Sequence, residues 1–165
     1  MSLQGFYQIG YVTHDLERAI GLIDHGFGLS EFGHFEGELV LQGAFGERTV
    51  RLRVGTAWVG SHQIELIQPL SGFIEVYATN LPADPDDPTP CLHHIAVRRD
   101  DVEEMRRELA SLGLPILFET GGSGLTVVYV DTRDRLGHYL ELVCMTPERW
   151  ETMGWPAGSR LANTQ

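Results

Sequence analysis

The chain has no lysine. All twelve basic residues are arginine, set against 23 Asp and Glu, and the formal net charge is −11. Without lysine there is no Schiff-base chemistry and no phosphate loop of the Walker type. An acidic surface of this strength repels a phosphate backbone, so nucleic acid is excluded as the expected partner. Cysteine is nearly as scarce: Cys91 and Cys144 are the only two and form no CxxC pair. Neither a disulfide framework nor a thiolate metal site is therefore expected. Long apolar runs are missing too, which argues against a membrane span. The first residues carry no charged stretch leading into an apolar one, so a cytoplasmic location is the expectation.

What is present is an ordinary globular composition, 42% hydrophobic over 165 residues, enough for one domain with a substantial core. Residues 6–12 read as an apolar strand. Asp15 then caps a helix on Leu16, Ala19, Ile20 and Ile23, stopped by Gly26 and Gly28. Three β runs follow at 38–42, 49–54 and 57–67, set apart by Gly43, Gly46 and Gly55. In the second of these, Val50, Leu52 and Val54 alternate with Arg51 and Arg53, so the arginines share the face opposite the apolar set.

A short helix within 72–79 and a connector with four prolines in 81–90 lead to a second copy of the pattern. This copy has a strand at 92–97 and a helix capped by Asp100 or Asp101. That helix carries Val102, Met105, Leu109 and Leu112 and ends at Gly113 and Pro115; strands follow at 116–119, 125–130 and 139–145. Each half is βαβββ. The expected organisation is module one 5–70, linker 71–91, module two 92–146 and a C-terminal tail 147–165, whose Trp150, Met153 and Trp155 suit packing or a dimer contact.

The repeat can be followed by residue. An offset of 86 carries Gln8-Ile9 onto His94-Ile95 and Asp15-Leu16-Glu17 onto Asp101-Val102-Glu103, while an offset of 76 carries Ile64-Glu65-Leu66-Ile67 onto Leu140-Glu141-Leu142-Val143. Polar residues thus recur at four equivalent strand positions: Gln8, Glu65, His94 and Glu141. Two carboxylates converging in one cavity repel each other and shift upward in pKa unless a cation lies between them. One imidazole, two carboxylates and an amide oxygen form a hard donor set without thiolate, compatible with Mn, Fe, Co, Ni or Zn. Read singly, Gln8 serves equally as a hydrogen-bonded cavity residue, and His93 or His94 as a core histidine; recurrence favours the quartet.

The stretches Gln8-Ile9-Gly10-Tyr11-Val12, Gln63-Ile64-Glu65-Leu66-Ile67-Gln68-Pro69, Leu92-His93-His94-Ile95-Ala96 and Gly137-His138-Tyr139-Leu140-Glu141-Leu142 resemble the vicinal oxygen chelate superfamily. That superfamily includes glyoxalase I, methylmalonyl-CoA epimerase, extradiol dioxygenases and bleomycin- or fosfomycin-resistance proteins. The resemblance implies an α+β fold of two tandem βαβββ modules whose curved mixed sheet surrounds a metal cavity. It places divalent-metal ligands at Gln8, Glu65, His94 and Glu141, and sends His93 to the opposite face. It implies a homodimer acting on a small carbonyl or thioester substrate by proton transfer next to a metal-chelated oxygen, as in an isomerase, lyase or epimerase.

Glu141 is then the expected base, with Glu65 the other catalytic carboxylate. Where the epimerases supply a second base from a middle strand of module one, this chain presents Arg51, which cannot accept a proton at neutral pH. Arg51 and Arg53 are expected instead to bind an anionic part of the substrate. Two further classes compete: a metal-free binding or resistance protein, and a ring-cleaving dioxygenase, against which Gln8 argues because that iron site needs two histidines and one carboxylate.

Overall fold

The computed structural model describes residues 3–154. The first module runs β1 (Phe6–Val12), α1 (Leu16–Phe27), β2 (Gly33–Gly43), β3 (Gly46–Val59) and β4 (His62–Gly72). A short α2 (Glu75–Ala78) and the proline-rich connector lead to β5 (Cys91–Arg99), α3 (Val102–Leu112), β6 (Ile116–Gly122), β7 (Leu125–Val130), α4 (Arg133–Leu136) and β8 (Tyr139–Met145), with α5 (Pro147–Thr152) beyond. The fold is α+β, built from two tandem βαβββ modules.

Both long helices begin and end for the same local reasons. The Asp15 carboxylate accepts from the backbone N–H of Arg18 at 3.1 Å, and Asp101, rather than Asp100, accepts from that of Glu104 at 2.8 Å. Each such cap contributes about 1 kcal/mol. Gly28 and Gly113 then take the left-handed conformation, φ 67° and 58°, and terminate the helices.

The eight strands close into a barrel in the order β1-β4-β3-β2-β6-β7-β8-β5. Within each module the last strand lies parallel to the first, and the two first strands, β1 and β5, pair antiparallel where the modules meet. The opposite seam is thin, joining β2 to β6 only through Gln42↔Glu119 and Gly43↔Phe118. Alternation along the strands sorts the apolar residues into three cores. Leu41, Val50, Leu52, Ile67, Tyr129, Val143 and their neighbours fill the barrel. Leu140 and Leu142 pack under Met105 and Leu109 of α3, and Leu66 packs under Leu16 and Ala19 of α1.

The break between the third and fourth strands of module one is not at Gly55. β3 runs through that residue and turns at 60–61, where Gly60 supplies φ 63°. Gly55 answers to packing instead: a Cβ there would sit 3.2 Å from Leu16 Cδ1 and 3.5 Å from Ile20 Cδ1, so its absence lets α1 lie close on the sheet. In the tail, Trp150 is buried in the barrel core and meets Tyr7 edge-on at 5.2 Å; Met153 is exposed, and Trp155 lies outside the described residues.

Candidate metal and active site

The site lies on four consecutive strands, β4, β1, β5 and β8, around the junction of the modules. β1 and β5 pair at Ile9↔Ile95 and Gly10↔His94, but the register skips one residue on each strand: Tyr7 on β1 and His93 on β5. These positions are related by the repeat offset, so each module carries a bulge at the residue before its donor. A bulge interrupts the inward-outward alternation. Tyr7 and Gln8 are consequently both buried, as are His93 and His94. This corrects the expectation that His93 points to the opposite face: the bulge turns both histidines inward.

The four residues of the quartet converge on one atom. His94 Nε2 lies 3.3 Å from Glu65 Oε2, 3.3 Å from Glu141 Oε2 and 3.4 Å from Gln8 Oε1. The Tyr129 hydroxyl is 3.5 Å from the same nitrogen. The Gln8 amide is held with its oxygen toward His94 because its Nε2 donates to Gln63 Oε1 at 2.7 Å. Gly10 sits beside both Glu65 and His94 in the sheet register. A Cβ at that position would fall 1.9 Å from His94 Cε1, so the imidazole occupies the space that any larger residue would need. The glycine inside the first strand was the visible signal, since an interior strand glycine marks close approach.

Burial alone would strip the charge from His94. The Glu141 carboxylate, helped by Glu65, overrides it and raises the imidazole pKa to about 9. Glu65 is raised by burial, with His94 opposing and Glu141 adding to the shift. The phenols of Tyr7, Tyr77 and Tyr129 are all pushed up by burial and then by the two carboxylates. They remain hydrogen-bond donors and cannot serve as bases near neutral pH.

Among the described residues no group of three or more His, Cys, Asp and Glu side chains surrounds an open ion position. The carboxylates close instead on the imidazole, which as an imidazolium supplies the positive charge they require. Every buried side-chain polar atom described has a partner. The chemistry of the donor set, one imidazole, two carboxylates and an amide oxygen, nonetheless suits a divalent cation.

Three of the quartet, Glu65, Glu141 and Gln8, border a cavity of two adjoining lobes, with His94 buried behind them. One lobe, about 290 Å³, is walled by Leu39, Leu52, Val54, Ile67 and Tyr77 and reaches the Gly121–Gly122 edge and Arg149. The other, about 230 Å³, holds Trp58, Met145 and Trp150 beside Gln8 and Gln63. Glu65 and Glu141 line both.

Arg51 and Arg53 are elsewhere. They stand on the outer face of β3, bonded to Glu36 at 2.6 and 2.8 Å, while Leu52 and Val54 face the cavity. The expectation that they bind substrate is therefore corrected: alternation separates two faces, and closure of the barrel puts the apolar one inside. Among the described residues, a cation that does reach the cavity is Arg149, bonded to the Ser123 carbonyl in the β6–β7 hairpin. Nothing in the local pattern of the tail indicated it, because its position depends on how α5 folds back.

No match was found among curated protein sequences. Solved structures of the same fold include a methylmalonyl-CoA epimerase in complex with methylmalonyl-CoA and NH4+ (21% identity, 88% of this chain and 100% of that one, TM-score 0.60). A substituted Streptomyces coelicolor methylmalonyl-CoA epimerase in complex with 2-nitronate-propionyl-CoA has 21% identity, 88% and 97% coverage, and TM-score 0.59. The Mycobacterium tuberculosis methylmalonyl-CoA epimerase has 21% identity, 92% and 96% coverage, and TM-score 0.57. Identity at this level carries the architecture. A family model spanning residues 7–129 carries the membership: the chain belongs to the Glyoxalase/Bleomycin resistance protein/Dioxygenase superfamily.

Proposed function

We propose that this protein is a divalent-metal enzyme that moves a proton at the carbon next to a carbonyl, in an isomerase, epimerase or lyase reaction on a small carbonyl or thioester substrate. One observation carries the reading: equivalent positions of two duplicated modules deliver Gln8, Glu65, His94 and Glu141 to a single point, with both carboxylates lining an apolar cavity. Gln8, Glu65, His94 and Glu141 would hold the ion. Its chemistry there is Lewis acidity, stabilising negative charge as it develops on the substrate carbonyl oxygen.

The chain's own groups do the rest. Glu141 takes the proton from carbon, and Glu65, on the other side of the β1–β5 pair, is the second carboxylate within reach of a substrate lying across both lobes. The leucines, valine and isoleucine of the larger lobe exclude water and enclose the acyl part, which strengthens every charge interaction at the carboxylates. Arg149 meets an anionic substituent at the mouth. The inner faces of β2 and β3 present Leu39, Leu41, Leu52 and Val54, which supports taking the carboxylates from Glu65 and Glu141. The similarity to methylmalonyl-CoA epimerases supports a thioester as the first substrate to try.

The test is proton exchange at carbon. Metal-loaded protein is incubated in D2O with acyl-CoA thioesters, methylmalonyl-CoA first, and with thiol adducts of 2-oxoaldehydes, and deuterium incorporation is followed by mass spectrometry. Metal-dependent exchange that falls in Glu141→Gln supports the reading. Failure of the protein to bind a divalent metal at micromolar concentration, or exchange unchanged by that substitution, defeats it.

A further inference from the structure

We propose that His93 is a positioning residue that sets the tautomer and orientation of His94, so that the lone pair of His94 Nε2 is presented to the four-donor centre. The inference rests on reading that centre as a metal site, but its physical basis is a two-bond chain that can be followed atom by atom. His93 Nε2 lies 3.0 Å from the Val76 carbonyl, and His93 Nδ1 lies 3.1 Å from His94 Nδ1. A carbonyl only accepts, so His93 Nε2 must carry the hydrogen. A neutral imidazole has only one, which leaves His93 Nδ1 as an acceptor and makes His94 Nδ1–H its donor. With that hydrogen committed, the nitrogen left to ligate is Nε2, the one facing Glu65, Glu141 and Gln8.

The surroundings of His93 hold it in this role. Its ring is fully buried. It stacks on Tyr77 at 5.2 Å and 26°, lies 4.9 Å from Tyr139, and meets His94 nearly perpendicular at 88°. Burial among these rings holds its Nε2 on the Val76 carbonyl and its Nδ1 on His94 Nδ1. The bulge in β5 is what makes the contact possible, because adjacent residues of a regular strand face opposite ways. Val76 belongs to α2, within the linker. The connection between the modules thereby supplies the outer end of the chain. Outer hydrogen bonds of this kind fix ligand orientation, and their loss typically costs about 10–100-fold in metal affinity.

The decisive comparison uses two side chains of nearly equal size. His93→Asn can still offer an oxygen acceptor to His94 Nδ1, whereas His93→Leu cannot, and both leave similar space behind. Competition titration with Zn2+, with folding checked by thermal unfolding, should show affinity weakened about 10–100-fold in the Leu variant and largely restored in the Asn variant. Equal affinities in the two overturn the proposal.

A second measurement needs no substitution and no metal. Imidazole 15N shifts of the wild-type protein should show His93 protonated at Nε2 alone and His94 protonated at Nδ1; a hydrogen on His93 Nδ1 overturns the relay even if the Leu variant fails to fold. Absence of Zn2+ binding by the wild type defeats the metal reading itself, while the 15N pattern still decides the tautomer of His93.

Discussion

The two modules place equivalent backbone at the site and furnish it differently. In module one the bulged residue is Tyr7, the donor is the neutral amide of Gln8, and the residue two further on is Gly10. In module two the same positions hold His93, His94 and Ala96. Glu65 and Glu141 match across the pair, opposite Gly10 and Ala96 respectively. The strands that follow are long in module one, 11, 14 and 11 residues, and short in module two, 7, 6 and 7. Duplication thus supplied symmetric anchor points, and divergence divided the work. Module two provides the imidazole donor and the histidine beside it, while module one provides the room for that imidazole and most of the aliphatic wall.

The largest expected effect tests which carboxylate moves the proton. Glu141→Gln should lower the deuterium-exchange rate about 10²–10⁴-fold at saturating metal. Glu65→Gln should show its main loss in metal affinity and recover much of its rate when metal is raised. Equal behaviour of the two would mean that the modules share the chemistry evenly.

Next comes the pair Gly10→Ala and Ala96→Gly. The first drives a methyl into the His94 ring and should weaken Zn2+ binding at least as much as losing an outer ligand partner, about 10–100-fold. The second merely loosens a buried strand position, at about 0.5–1 kcal/mol of stability, and should leave affinity nearly intact. Calorimetric titration and thermal unfolding measure both.

A pH series separates the two donors, because an amide does not titrate and an imidazole does. With His94 raised to about 9 by the two carboxylates, metal must displace a proton, so affinity should rise about tenfold per pH unit through neutrality and level off above pH 9. In the metal-free protein the sign is opposite. The folded pKa exceeds the unfolded value of about 6.5, so the stabilisation is fully present below that pH and is lost as pH rises through 9. Urea unfolding across pH 6–10 would read a loss of about 3 kcal/mol. An affinity that does not change with pH would remove His94 from the ligand set.

These contrasts also show what could be read from the chain and what could not. The periodicities of 2 and 3.6 and the capping aspartates identified both βαβ starts, and the repeat offset identified Gln8, Glu65, His94 and Glu141 as spatial companions. The bulges at Tyr7 and His93 were hidden because they are properties of how β1 pairs with β5, and neither strand alone records the register. Arg51 and Arg53 were misplaced for a related reason: alternation distinguishes two faces, but only barrel closure decides which is inner. Gly55 looked like a turn because a glycine required for helix packing and one required for positive φ are the same letter. Arg149 depends on the path of α5, a tertiary fact.

The corrected arginine assignment gives a smaller effect. Arg149→Gln should raise KM for a thioester carrying a carboxylate by about tenfold, in keeping with loss of one charge-assisted contact worth about 1.5 kcal/mol, and should leave a neutral thioester nearly unaffected. Arg51→Gln, which acts on the outer face, should alter neither. Parallel KM measurements on the two thioesters decide whether the mouth of the cavity recognises charge.

The smallest effect is expected at Gln8, and it bears most directly on the symmetry of the modules. Its oxygen is aimed at the centre by the bond to Gln63, so the geometry for ligation is in place, yet a neutral amide brings no charge to offset the repulsion between Glu65 and Glu141. Removing it by Gln8→Ala should weaken Zn2+ by less than the roughly 10–100-fold expected for severing the support of His94, with water able to fill the space. A loss as large as that of Gly10→Ala would mean that module one contributes a ligand on equal terms with module two. No loss at all would make Gln8 a spacer, leaving Glu65 as the sole donor from that half.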